Sequence, residues 1–149
     1  MGLRTIRLIG DDILRKKSKP VDNFDHRLLK LINDMFETMY RADGVGLAAV
    51  QVGILKRLFI VDTGEKPMHF INPEIIDKGG NQLDQEGCLS VPGKLGDVER
   101  PKWIKIKAFN SDGDEFEYYA EDFEARAILH ENDHLNGILY VDLVVQGGK

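Results

Sequence analysis

The stretch Asp122–Gly137, DFEARAILHENDHLNG, constrains the fold more than any other part of the chain. At about 100° per residue, Phe123, Ala127, His130 and His134 fall within a narrow arc of one helix. The two histidines therefore continue an apolar stripe and face inward, and Gly137 is suited to the left-handed position that follows a helix. A helix with two histidines on its inward face needs other elements packed around it, so it belongs at the centre of the domain.

The rest of the chain supplies those elements. Leu28, Leu31, Ile32, Met35, Phe36 and Met39 recur at helical spacing, which predicts a helix from about Asp25 to Ala42, stopped by Asp43-Gly44. Arg57–Asp62 and His69–Asn72 are β-branched and aromatic runs that read as strands, the second ending before Pro73. Trp103–Phe109 alternates apolar with polar and is joined by Asn110-Ser111-Asp112-Gly113 to Glu115–Tyr119, a hairpin with one wet face. The expectation is an α+β fold, with antiparallel β-sheets packed around the central H-E-x-x-H helix and a further helix toward the N-terminus.

Length and charge narrow the function. The 149 residues, 42% of them hydrophobic, suit one domain spanning residues 1–149, with no repeat or low-complexity linker to divide them. A net charge of -5 offers no basic field for a phosphate backbone, so nucleic acid is not an expected partner. The lone Cys88 cannot form an internal disulfide, and Met1–Arg7 lacks the apolar core of a secretory signal. No apolar run approaches the roughly 20 residues needed to span a bilayer. A cytoplasmic protein without membrane insertion is expected.

The pattern His130-Glu131-Asn132-Asp133-His134 carries the chemistry. Histidines one turn apart can share a metal ion, and Glu131, about 100° round the helix, can reach a water held there. A catalytic site needs a third protein ligand. Tyr140 stands where metzincin-type peptidases carry their third histidine, and Asp142 is the only carboxylate after His134, so the ligand must come from upstream. The candidates are His26, His69, Cys88 or a carboxylate. His26 lies on the polar side of a helix start, and no ligand spacing surrounds His69. Cys88 lies in Gln85-Glu86-Gly87-Cys88-Leu89-Ser90-Val91-Pro92, where Gly87 permits close backbone approach and a thiolate would suit zinc or ferrous iron; a buried inert cysteine is the alternative. Gly44-Val45-Gly46-Leu47-Ala48-Ala49-Val50-Gln51 is a third unusual segment, read either as a close-packed turn or helix start or as a place of close backbone approach.

Together, GVGLAAVQ, EGCLS and HENDH, in this order and spacing, resemble the three signature motifs of the peptide deformylases, and the resemblance extends to Ile9–Leu14 and Val98–Pro101. It implies hydrolysis of the formyl group from N-formylmethionine at the start of nascent chains, with Fe²⁺ as the native metal and Zn²⁺, Ni²⁺ or Co²⁺ in isolated protein. Matched residue by residue, Cys88, His130 and His134 would hold the metal, Glu131 would act as general acid/base, and the Gln51 amide and Leu89 N–H would stabilise the oxyanion. Val45, Gly46 and Gly87 would hold the peptide as an added strand. Val45, Glu86, Phe123, Arg126, Ala127 and His130 would form the methionine pocket, and Glu86 would pair with Arg100, two solvated charges being the alternative. Asp133 is read either as a carboxylate behind a ligand histidine or as a helix-surface carboxylate.

Leu129 and Leu95 depart from the glutamine and arginine that some relatives carry, which bears on peptide preference. The chain also ends soon after Leu143, without the terminal helix some relatives use to dock on the ribosome, so any ribosome association is expected to be transient. A monomer is expected. An H-E-x-x-H peptidase and a non-catalytic metal-binding domain are the competing readings. The first lacks its downstream ligand, and the second has no use for Glu131.

Overall fold

The computed structural model describes residues 2–145. The Asp25 carboxylate accepts the Leu28 N–H at 3.1 Å and caps α1 (His26–Arg41). Leu28, Leu31, Ile32, Met35 and Met39 form its buried face, as their spacing requires. The chain turns away through Asp43 at φ 59°, and the Gly44 N–H closes the helix on the Met39 carbonyl at 2.9 Å.

The strands follow in order: β1 (Gly46–Ala48), β2 (Leu58–Val61), β3 (Met68–Gly79), β4 (Gln82–Cys88), β5 (Val91–Arg100), β6 (Trp103–Phe109) and β7 (Glu115–Glu121). The second helix, α2 (Asp122–His134), starts directly after β7. Five strands form an antiparallel sheet in the order β1-β2-β3-β6-β7, and β4 and β5 form a separate hairpin.

The larger sheet lies between the helices. Neighbouring strand residues point to opposite faces. Leu58 and Ile60 therefore pack with Leu47 and Ile71 against α1, while Phe59 and Val61 pack with Ala48 and Phe70 against Ala125, Ile128 and Leu129 of α2. Covering both faces is why every residue of β2 is apolar and buried. Among the described residues, no helix is long and apolar enough to cross a membrane.

Three boundaries differ from the sequence expectation. The second helix stops at His134, and Gly137 takes its left-handed conformation (φ 75°) three residues later. Instead of ending at Asn72, β3 runs through Pro73 to Gly79, because a register shift between Ile71 and Glu74 absorbs the missing N–H. Asn72 sits in that shift at φ 51°, and its side chain bonds both the N–H and the carbonyl of Val21. The segment Gly44–Gln51 is neither a turn nor a helix start alone: it divides into β1 and a 3-10 turn, Ala49–Val52.

Gly137 is a joint whose geometry can be tested. Its positive φ disfavours a side chain, and a Cβ there would come within 2.5 Å of the Arg15 carbonyl oxygen. Gly137→Ala is expected to lower the unfolding free energy by about 2–3 kcal/mol, read from the midpoint of a urea titration.

Candidate metal centre

The two sheets meet at the site. His130 and His134 descend from α2, which rests on the five-stranded sheet, and Cys88 arrives from the last position of β4 in the separate hairpin. One ligand atom from each of these three residues lies within 4.8 Å of the other two, the only such group among the described residues. Cys88 Sγ is 3.4 Å from His134 Nε2. Ideal tetrahedral coordination, with metal–sulfur near 2.3 Å and metal–nitrogen near 2.1 Å, separates sulfur and nitrogen by about 3.6 Å. The donor set therefore fits one divalent cation. His26 and His69 are remote from this group, and His69 Nε2 is occupied by the Ser111 N–H at 3.0 Å.

Glu131 stands beside the donors, 5% exposed, with one carboxylate oxygen lacking a hydrogen-bond partner among the described residues. Burial pushes its pKa up to about 7. This position depends on Gly46, where a Cβ would lie 2.5 Å from Glu131 Oε2. Gln51 enters from the 3-10 turn and is 1% exposed. Its Oε1 accepts the Ala48 N–H at 2.9 Å, which turns Nε2 toward Ser90 Oγ at 3.0 Å and Cys88 Sγ at 3.6 Å.

Behind the donors lies a buried ionic network. Arg100 grips Glu86 through Nε at 2.8 Å and a terminal nitrogen at 3.0 Å. Arg126 donates to Glu86 at 2.6 Å and to the Val98 carbonyl at 2.9 Å. The remaining Glu86 contact is His130 Nδ1 at 2.9 Å. Burial raises the Glu86 pKa, yet the hydrogen bonds from Arg100 and His130 outweigh it and hold the carboxyl at about 2. Burial likewise opposes a proton on His130, but its hydrogen bonds to Cys88 and Glu86 prevail and raise its pKa to about 10. His134 is pushed well below its ordinary value by burial and by its charged neighbours His130 and Arg100.

A cavity of about 450 Å³ opens over these groups, lined by the segments Asp43–Gly46, Gln85–Leu89 and Val91–Leu95 and by α2. Val45, Gly46, Glu86, Gly87, Leu89, Phe123, Arg126 and Ala127 all line it.

The arc expected to face wholly inward instead runs from mouth to interior. Phe123 is 53% exposed, whereas Ala127, His130 and His134 are buried. Glu86 and Arg126 contribute walls, but their charged atoms are largely engaged with each other and with Arg100 and His130. The carboxylate behind His130 is Glu86, while Asp133 pairs with Arg100 at 2.6 Å. Ser90 and Tyr140 also reach the site residues, Ser90 through Gln51 and Tyr140 by stacking on His130. Neither carried a signal in the sequence beyond its place near a motif.

Two imidazoles, a thiol and a buried near-neutral carboxylate around a cavity define the class, a metal-dependent hydrolase. Comparison with known proteins makes it particular. The sequence profile of the family described as Polypeptide deformylase matches residues 3–149. The peptide deformylase of Clostridium botulinum is 63% identical over 142 residues, 95% of this chain and 97% of that protein. Peptide deformylase 1 of Clostridium acetobutylicum is 59% identical, over 98% of this chain and 97% of its own length. The crystal structure of peptide deformylase from Thermotoga maritima superposes with a TM-score of 0.96 at 46% identity, covering 98% of this chain and 100% of that one. The enzyme from Synechococcus elongatus, solved in complex with actinonin, gives 0.94 at 43% identity over 96% of this chain and 79% of that one. The chain belongs to the polypeptide deformylase family, and its reaction is the metal-dependent hydrolysis of the formyl group from the N-terminal formylmethionine of newly made proteins.

The network predicts how Glu86 acts. Glu86→Gln leaves Arg126 without its counter-charge and Arg100 with only Asp133. We expect a loss of about 3 kcal/mol of stability, read by urea unfolding, and a fall of about 10- to 100-fold in metal affinity, read by chelator competition.

Proposed function

We propose that Cys88, His130 and His134 hold the metal and that Glu131, Gln51 and Leu89 carry out the deformylation around it. The observation that carries this reading is the convergence of three donors, two from α2 and one from β4, beside a buried carboxylate whose pKa lies near 7. A divalent cation bound there supplies Lewis acidity and lowers the pKa of water toward neutrality.

Glu131 takes the proton of the water that attacks the formyl carbon. A carboxyl group whose pKa is about 7 can both accept and return a proton near neutral pH, so the same group then protonates the departing amine. Formate and the free methionyl amine are the products. The Gln51 Nε2 amide and the Leu89 backbone N–H donate to the oxyanion that forms during attack. Gln51 is suited to this because its own carbonyl is already committed to Ala48, which fixes the direction of Nε2.

The substrate is the N-formylated nascent chain. Val45, Gly46 and Gly87 hold its backbone as an added extended strand, a mode that reads little sequence. Its methionine side chain enters the cavity between Val45, Phe123, Ala127 and His130, with Glu86 and Arg126 as the rear wall. The enzyme works in the cytoplasm as a monomer of one domain, in transient contact with translating ribosomes, where its substrates emerge.

Ferrous iron is the proposed native metal, with Zn²⁺, Ni²⁺ and Co²⁺ accepted by the same nitrogen and sulfur donors. Air exposure of the iron-loaded protein is expected to abolish its turnover through oxidation of iron or of Cys88, and unchanged activity in air would count against an iron centre.

The assignment of roles rests on two variants. Glu131→Ala is expected to keep bound metal and lose about 10²- to 10⁴-fold in hydrolysis of formyl-Met-Ala-Ser. Cys88→Ala is expected to lose both metal and turnover, and full activity in either variant would sink the assignment.

A further inference from the structure

Tyr140 takes no part in the chemistry, yet it touches both halves of the site. Its ring is 2% exposed and stacks on His130, with centroids 5.9 Å apart and planes at 26°. Its hydroxyl donates to the Lys94 carbonyl at 3.0 Å, on the rim of the cavity.

That rim has little other support from strand pairing. Between the pairs Glu86↔Gly96 and Cys88↔Val91, β4 passes only Gly87 while β5 passes Pro92, Gly93, Lys94 and Leu95. These four residues therefore fall outside the ladder register, all exposed, with Gly93 at φ 80°. A backbone bulge outside its ladder keeps one position only if something else fixes it.

Tyr140 is itself firmly placed. It packs with Val91 and Val98 and opens a 3-10 turn, Tyr140–Asp142. Asp142 ties that turn to the Leu139 N–H at 3.1 Å and to Arg15 at 2.6 and 3.0 Å.

We infer that Tyr140 is a positioning residue for substrate binding: its hydroxyl fixes Lys94, and so holds the rim Pro92–Leu95 against which the residues following formylmethionine lie. The inference rests on the substrate reading above. It separates two functions of one side chain, since the ring supports His130 and only the hydroxyl reaches the rim. Removing the hydroxyl frees the rim without disturbing the metal ligand.

The test compares metal-loaded Tyr140→Phe with the parent on formyl-Met-Ala-Ser and on formyl-methionine amide, which has no residue to lay on the rim. A single hydrogen bond of ordinary net strength corresponds to roughly a 2- to 10-fold change. We expect KM for the tripeptide to rise by that factor, with kcat within about twofold, and KM for the short amide and the bound metal to be unchanged. Binding of the product Met-Ala-Ser, followed by calorimetry, should weaken by the same factor. Unchanged tripeptide KM, an equal rise on both substrates, or a fall in kcat at constant KM would overturn the inference. A parent protein unable to deformylate the tripeptide would instead overturn the proposed function, and this inference with it.

Discussion

The buried carboxylate of Glu86 is the contact on which the site depends. It lies on β4, its strongest partner Arg100 lies on β5, and its other partners, Arg126 and His130, lie on α2. One side chain thus ties the hairpin that carries Cys88 to the helix that carries both histidines. Burying charges is expensive, and an apolar replacement of similar volume often matches a buried ion pair in stability. What an apolar cluster could not supply is direction. The Glu86 oxygen at His130 Nδ1 fixes which ring nitrogen turns toward the donors, and the bidentate fork from Arg100 fixes Glu86 in turn.

Direction matters here because, among the described residues, the hairpin and the larger sheet share no strand pairing. Besides the ionic network, ties to the hairpin include the Ile9 N–H on the Ser90 carbonyl, the Gln51 amide on Ser90 Oγ, the Tyr140 hydroxyl on the Lys94 carbonyl and the bridge between Val98 and Val144. These ties come from both ends of the described chain and from its middle. The site is therefore held by contacts between segments far apart in the sequence. Close approach completes it, because β1 can reach Glu131 only where Gly46 carries no side chain.

The two helices and the β6–β7 hairpin were legible in the sequence because their periodicity is imposed by one wet and one dry face. The hairpin of β4 and β5 was not. Leu83, Asp84, Gln85 and Gly87 are exposed, and the strand is stabilised by its backbone ladder and the charges of Glu86 and Arg100, which leave no apolar alternation to read. Pro73 misled for a similar reason: a local rule about a missing donor ended β3 early, while the bulge at Asn72 was a tertiary arrangement with Val21. At the site, residue types and helical spacing gave His130, Glu131 and His134, but Cys88 remained one candidate among several until the resemblance to a family was used. That Glu86, and not the nearer Asp133, stands behind His130 depends on how a hairpin folds over a helix, and no spacing within either segment encodes it.

The charges of the centre agree with the proposal that Cys88 is the third metal ligand. Glu86, Asp133 and Glu131 are three buried or half-buried carboxylates, set against only two guanidiniums, Arg100 and Arg126. Burial raises the pKa of Glu131 and Asp133, and hydrogen bonds to Cys88 and Glu86 raise that of His130, so all three are shifted toward holding a proton. A dication held by a Cys88 thiolate would add one net positive charge and bring the cluster to neutrality with Glu131 ionised. A histidine in place of Cys88 would leave it one charge positive, and a buried cluster with unbalanced charge carries a desolvation cost that pairing cannot repay. Neutrality with Glu131 ionised is also the state in which that carboxylate can accept a proton, so under the proposed ligand set the charge balance would leave Glu131 ready for its proposed role as base.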